Sequence, residues 1–100
     1  MTRVNKPWVH EVILVNGRYC AKLLFISPRS QTSVHYHKTK KELLLELSHL
    51  WNGWTIIHPG QQHRFSNLGI RTQVYLELST HHDDSDTVRL EPGGKVIVFQ

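Results

Sequence analysis

Ser33-Val34-His35-Tyr36-His37-Lys38-Thr39-Lys40-Lys41-Glu42 is the stretch on which the reading of this chain turns. On an extended strand residues i and i+2 share a face, so His35 and His37 project their imidazoles in one direction. Glu42 follows five residues after His37, beyond a polar turn over Lys38 to Lys41 that can fold its carboxylate back toward the pair. His63 comes just after the Pro59-Gly60 break, with Asn67 four residues later, and is the fourth candidate. Three imidazoles and a carboxylate suit a divalent ion such as Zn, Mn, Fe or Ni and exclude a thiolate-type site. On an ion that accepts six ligands this set leaves two positions for water or substrate, an arrangement suited to catalysis. The plainer alternative is four unrelated polar residues lining loops.

The rest of the chain is a series of short β-rich runs separated by turn residues, which predicts an all-β domain, a sandwich or a small barrel. Glu11 to Val15 and Arg18 to Ile26 flank Asn16-Gly17, a pair that supplies the positive φ angles of a type I′ hairpin turn. Thr72 to Leu78 alternates, with Val74, Leu76 and Leu78 on one face and Gln73, Tyr75 and Glu77 on the other. A last strand is expected over Lys95 to Phe99, and Leu43 to Leu50 has a composition that also admits a helix.

One hundred residues amount to one domain, spanning 1–100. A single cysteine excludes an intramolecular disulfide framework, and no apolar run reaches the roughly 18 residues of a membrane span. The default expectation is a soluble, cytoplasmic protein with no membrane partner. The net charge of +4 is local: residues 1–50 hold eight Lys/Arg and three Asp/Glu, residues 51–100 four and five. Because the basic excess sits beside the histidines, it fits an anionic small molecule better than a nucleic acid.

His35-x-His37-x4-Glu42 and Gly53-x5-Pro59 leading to His63-x3-Asn67 resemble the two motifs of the cupin superfamily. That resemblance implies a small double-stranded β-helix barrel, of the jelly-roll kind, with a divalent metal bound by His35, His37, Glu42 and His63. Lys6-Pro7-Trp8, Tyr19-x2-Lys22, Lys40, Arg64 and Asp86-x-Val88-Arg89 are similar to the cupin domain of type II mannose-6-phosphate isomerases, over about residues 4–91. By this likeness Lys40 and Arg89 would meet an anionic or carbohydrate substrate, and the reaction would be aldose–ketose isomerisation of a phosphorylated sugar. Glu46, by its location alone, or a metal-bound water is the candidate general base. A non-catalytic metal- or sugar-binding module and an Fe(II)-dependent dioxygenase of a small substrate share the same ligand set.

Glu42 and His63 are only twenty-one positions apart, which implies a shortened hairpin between the motifs. If Glu42 points into the barrel, Leu44, Glu46 and Ser48 share its face while Leu43, Leu45 and Leu47 point outward. Either a bulge resets the register or a partner covers the leucines, and the second points to a homodimer. His81 and His82 read as solvated loop residues, Arg64 as one member of an ion pair, and Cys20 as a small buried residue.

Overall fold

The computed structural model describes residues 2–47, 50 and 53–96. Eleven strands lie among the described residues: β1 (Thr2–Asn5), β2 (Val9–Asn16), β3 (Tyr19–Ile26), β4 (Ser30–Gln31), β5 (Val34–His37), β6 (Glu42–Glu46), β7 (Thr55–Ile57), β8 (Ser66–Asn67), β9 (Gln73–Thr80), β10 (Thr87–Glu91) and β11 (Gly94–Lys95). They form an antiparallel six-stranded sheet in the order β1-β2-β3-β9-β6-β7, a three-stranded sheet β11-β4-β8 and a pair β10-β5. A reciprocal backbone bridge between His35 and His63, with N–H···O distances of 3.0 and 2.8 Å, ties β5 to the segment leading into β8. These shorter pairings make the second wall. Among the described residues the sheets do not close into one hydrogen-bonded ring.

Leu43 to Leu50 is not an α-helix where it is described: β6 runs through Glu46 and pairs with β9 from Glu42↔Ser79 to Glu46↔Tyr75. Eight residues lie below the length at which a helix stands alone, and the cross-strand partners on β9 and β7 decide the matter. Ser48, His49 and Asn52 lie outside the described residues, as does the expected last strand beyond Val96. β6 is regular, without the register-resetting bulge. Glu42 and Leu44 are buried, while Leu43 is 36% and Leu47 40% exposed.

The hairpin of β2 and β3 forms, but not through a type I′ turn. Neither Asn16 nor Gly17 has a positive φ. A bulge between Ile13 and Val15 shifts the register, so that Asn16 pairs with Cys20 across a three-residue connection in which Gly17 N–H donates to Tyr19 O at 2.8 Å. Asn16 is instead engaged by the loop after β9: its side chain donates to His82 O and accepts from His82 N, both at 2.9 Å.

Val9, Leu24 and Ile26 form the apolar core, with Trp8, Phe65 and Tyr75 packed against it. It is small, and the interior is shared with buried polar groups that include Lys22, Lys40, Glu42, Asn67 and Glu77. Asn67 is one anchor: its amide donates to Ile26 O and Arg71 O and its carbonyl accepts from Gly69 N. Arg64 is held by Thr32 O, Pro92 O and the Glu91 carboxylate, so it links the loops around the second wall. Among the described residues no helix is long and apolar enough to cross a membrane.

Two glycines separate conformational need from steric need. A Cβ on Gly93 would lie 2.6 Å from Trp8 Nε1 and 2.7 Å from Gln31 O, whereas one on Gly17 meets nothing within 4 Å. Gly93→Ala should cost about 1–3 kcal/mol by overpacking. Gly17→Ala should be neutral or stabilise by about 0.4–1 kcal/mol, because no positive φ is required there. Urea denaturation of the two variants checks both, and a large loss in Gly17→Ala would restore the type I′ turn.

Candidate metal centre

His35 and His37 lie on β5, the second wall, with both side chains turned toward the six-stranded sheet. His63 is brought alongside His35 by the backbone bridge. One ligand atom from each of the three rings lies within 4.8 Å of the others, and the His35 and His63 ring centroids are 4.3 Å apart. Each Nδ1 has a partner behind it: Ser33 O at 2.9 Å for His35, Gln61 O at 2.9 Å for His63 and Thr87 Oγ1 at 3.0 Å for His37. A carbonyl can only accept, so His35 and His63 carry their proton on Nδ1 and turn an Nε2 lone pair to the site. This is the outer-shell arrangement that orients histidine ligands.

The facing wall supplies the carboxylate. Asp86 makes this possible by holding the Lys38–Lys40 turn: it accepts from Thr39 N, Thr39 Oγ1 and Lys40 N at 2.9 to 3.1 Å. The chain thereby crosses from β5 to β6 within four residues and sets Glu42 opposite the histidines. Glu42 Oε1 is 2.7 Å from His37 Nε2 and 3.1 Å from Lys40 Nζ, and Oε2 is 3.8 Å from His63 Nε2. None of these contacts is aligned as a hydrogen bond, so both Glu42 oxygens and His63 Nε2 are buried without a hydrogen-bond partner. The three imidazoles form a group whose ligand atoms could hold a divalent cation, and the buried Glu42 carboxylate faces them from β6.

Lys40, expected to meet a substrate, lines the cavity beside His35 and His37. Its ammonium is buried, hydrogen-bonded to Glu77 Oε2 at 3.2 Å and to His82 Nδ1 at 3.0 Å, and ion-paired with Glu42 at 3.1 Å. Lys22 stands 3.9 Å from the same Glu77 oxygen. Arg89 pairs with His35 across the β10–β5 ladder and lines the cavity beside His35 and His37. Glu46 lines a second cavity of about 330 Å³, with His63 and Tyr75. The structure thus brings His35, His37, His63, Glu42 and Lys40 together, sets Arg89 at the cavity on one side and Glu46 in the cavity on the other.

Three contributors escape sequence reading. Glu77 and Lys22 face inward from β9 and β3, where nothing local distinguishes them from solvent-facing residues. His82, expected to be a plain loop residue, packs with its ring centroid 6.3 Å from that of His37 and bridges Lys40 to Asp84. The paired polar residues on otherwise apolar strands were the available signal.

Burial lowers His35 from 6.5 to about 4, helped by the neighbouring His63 and His37. Burial raises the Glu42 carboxyl, but contact with His37 and the charge of Lys40 outweigh it and hold it down at about 2. Burial disfavours the Lys40 ammonium, and Glu77 and Glu42 more than restore it. Glu77 is pushed up by burial and by the charge of Glu42.

No protein-family model matches the sequence, nor does any curated protein. Solved structures do resemble it. A CapF determined with the inhibitor 3-isopropenyl-tropolone is 21% identical with a TM-score of 0.70, over 90% of this chain and 34% of that one. The capsular polysaccharide assembling protein CapF of Staphylococcus aureus is 16% identical with a TM-score of 0.66, over 90% and 31%. A cupin-superfamily sugar phosphate isomerase from Silicibacter pomeroyi is 15% identical with a TM-score of 0.51, over 90% and 80%. The protein has the cupin fold that the motifs implied. It spans about a third of the length of the two CapF chains.

In metal-free protein these groups set the acid response. Folded His35 stays neutral while the unfolded chain protonates it below 6.5, so stability falls as pH drops from about 6.5 to about 4. The depressed Glu42 adds stability above its ordinary 4.5, lost as pH falls toward about 2. Urea midpoints in chelator should decrease from pH 7 to 5.5 to 4.5 by way of His35, and further below pH 4.5 by way of Glu42. His35→Asn should flatten the upper part, and an unchanged slope in that variant would contradict the assignment.

Proposed function

We propose that residues 1–100 form a single-domain, cytoplasmic, metal-dependent cupin in which His35, His37, His63 and Glu42 hold one divalent ion, Zn, Mn, Fe or Ni. We infer further that it acts on an anionic carbohydrate in the manner of a sugar-phosphate isomerase. One observation carries the metal assignment: backbone-anchored imidazoles converge with a buried carboxylate whose oxygens have no hydrogen-bond donor. A lone buried thiol, Cys20, fits a reducing compartment.

The substrate reading rests on the cavity beside His35 and His37, about 370 Å³, within the roughly 300–1,000 Å³ of small-molecule sites. Lys6 and Arg89 line it with Trp8 and Glu11. A guanidinium binds a phosphate through two parallel N–H donors, a lysine as a point charge, and an indole face packs on a sugar ring. A bound divalent ion supplies Lewis-acid polarisation of oxygen ligands. A carboxylate of this chain takes the proton from the hydroxyl-bearing carbon next to the carbonyl and returns it to the former carbonyl carbon, while the hydroxyl proton passes to the former carbonyl oxygen, so atoms and electrons balance without a co-reactant. Glu46 serves if the reacting carbons lie on the His63 side; Glu11, with Glu77 and Asp84, lines the cavity that holds Arg89. The neighbours described as a sugar phosphate isomerase and a capsular polysaccharide assembling protein support a carbohydrate ligand.

Metal analysis of anaerobically purified protein should give one ion per chain, and the His35→Ala/His37→Ala double variant should retain none; stoichiometric metal in that variant sinks the site. Mannose 6-phosphate should be isomerised by the Zn or Mn form, with kcat lowered about 100-fold or more in either Glu11→Gln or Glu46→Gln. Iron with oxygen uptake would instead establish the dioxygenase, and metal without turnover the binding module.

A further inference from the structure

The inner face of the six-stranded sheet carries one row of side chains that runs through both cavities. Register aligns Glu11, Leu24, Tyr75 and Glu46 across β2, β3, β9 and β6, three strand spacings or roughly 14 Å from end to end. Glu11 belongs to the cavity of about 370 Å³ beside His35 and His37, Glu46 to the cavity of about 330 Å³ beside His63. Among the described residues, Phe65 alone lines both. It projects from the second wall, packs against the cluster that contains Leu24 and sets its ring 4.8 Å from that of Tyr75, and so closes on the middle of the row. Its main chain is tied twice to Thr32: Phe65 N–H donates to Thr32 Oγ1 at 2.9 Å, and Phe65 O accepts from Thr32 N–H at 2.8 Å. His63 lies two residues upstream with its ring 6.3 Å away and edge-on. The barrier therefore stands beside the metal centre.

The two compartments offer different chemistry. On the Glu11 side the side chains of Lys6 and Arg89 make no hydrogen bond or ion pair among the described residues, so an anion finds free donors there. On the Glu46 side the guanidinium of Arg64 is already held by Thr32 O, Pro92 O and the Glu91 carboxylate. Leu44, Ile57, Phe65 and Tyr75 supply apolar and aromatic wall there, with Thr55 and Gln61 between them, a lining that receives an uncharged sugar ring. We propose that Phe65 is the specificity-determining residue of this site: it divides the interior in two and confines an anionic carbohydrate to a single sugar unit on the Arg89 side, shut off from the compartment that a second unit would occupy. The choice of ligand rests on the carbohydrate function proposed above, the division on geometry alone. Tyr75, His63 and the apolar cluster hold the ring in a close-packed setting, so it acts as a fixed wall.

Phe65→Ala removes the ring and keeps both main-chain ties to Thr32. A crystal structure of the variant should show one continuous cavity that reaches both Glu11 and Glu46, and two cavities still separated there overturn the division. Titrations of the Zn-loaded protein, followed by calorimetry and amide chemical shifts, read the consequence for ligands. Mannose 6-phosphate should bind the wild type and perturb Thr87 to Arg89, while trehalose 6-phosphate, which carries a second sugar on the phosphorylated one, binds about 10-fold or more weakly. In Phe65→Ala, trehalose 6-phosphate should gain about 10-fold or more and newly perturb Thr55 to Ile57, with mannose 6-phosphate changed less than about 3-fold. Equal binding of the two phosphates to the wild type, or no gain in the folded variant, overturns the proposal. If neither phosphate binds either protein, the carbohydrate function falls, while a continuous cavity in the variant still upholds the division. If Phe65→Ala does not fold, Phe65→Leu, which keeps aliphatic packing, should show the same changes at smaller amplitude, and their absence there is equally adverse.

Discussion

Four charged side chains are taken out of water together in this protein: Lys22, Lys40, Glu42 and Glu77. Isolated, each would cost several kcal/mol to bury, so none can be placed without the others. Lys40 lies between the two carboxylates at 3.1 and 3.2 Å, and Lys22 backs Glu77 at 3.9 Å. The cluster holds two cations and two anions, and it fixes which face of β3, β6 and β9 turns inward. Removal of either lysine would leave an uncompensated carboxylate, a much larger penalty than the pair's own net contribution. The cluster therefore specifies geometry more than it adds stability, and what it specifies is the position of Glu42.

From that constraint the sheet's polarity follows. Side-chain alternation has a period of two, so turning Lys22, Glu42 and Glu77 inward turns Leu23, Leu43 and Leu76 outward. The apolar core is left with few members, Val9, Leu24 and Ile26 among them, at one end of the interior. Hydrophobic burial within this one chain is correspondingly limited.

Much of the fold was legible, in proportion to how local the signals were. The His35-x-His37 pair, the turn before Glu42 and the Pro59-Gly60 break are short-range patterns, and they located the three histidines and the carboxylate. The regular alternation from Glu42 to Leu47 was also readable and survives in the structure. Alternation does not say which face is inside, however: Thr72 to Leu78 reads as an ordinary amphipathic strand, yet Glu77 is its buried residue. That choice is made by partners on other strands, Lys22 and Lys40, at separations no local pattern encodes. Asn16-Gly17 failed for a related reason. The bulge in β2 and the bond of Asn16 to His82 use the asparagine for a long-range tie and remove the need for a left-handed turn.

The backing of the imidazoles has one more consequence. For His35 and His63 the group that sets the tautomer is a main-chain carbonyl, present whatever residue occupies positions 33 and 61. Sequence drift around the site cannot erase that instruction as long as the backbone path is kept. His37 alone depends on a replaceable side chain, Thr87. Two of the three rings are thus buffered against mutation by the fold itself, and the evolutionary vulnerability of the centre is concentrated at a single hydroxyl.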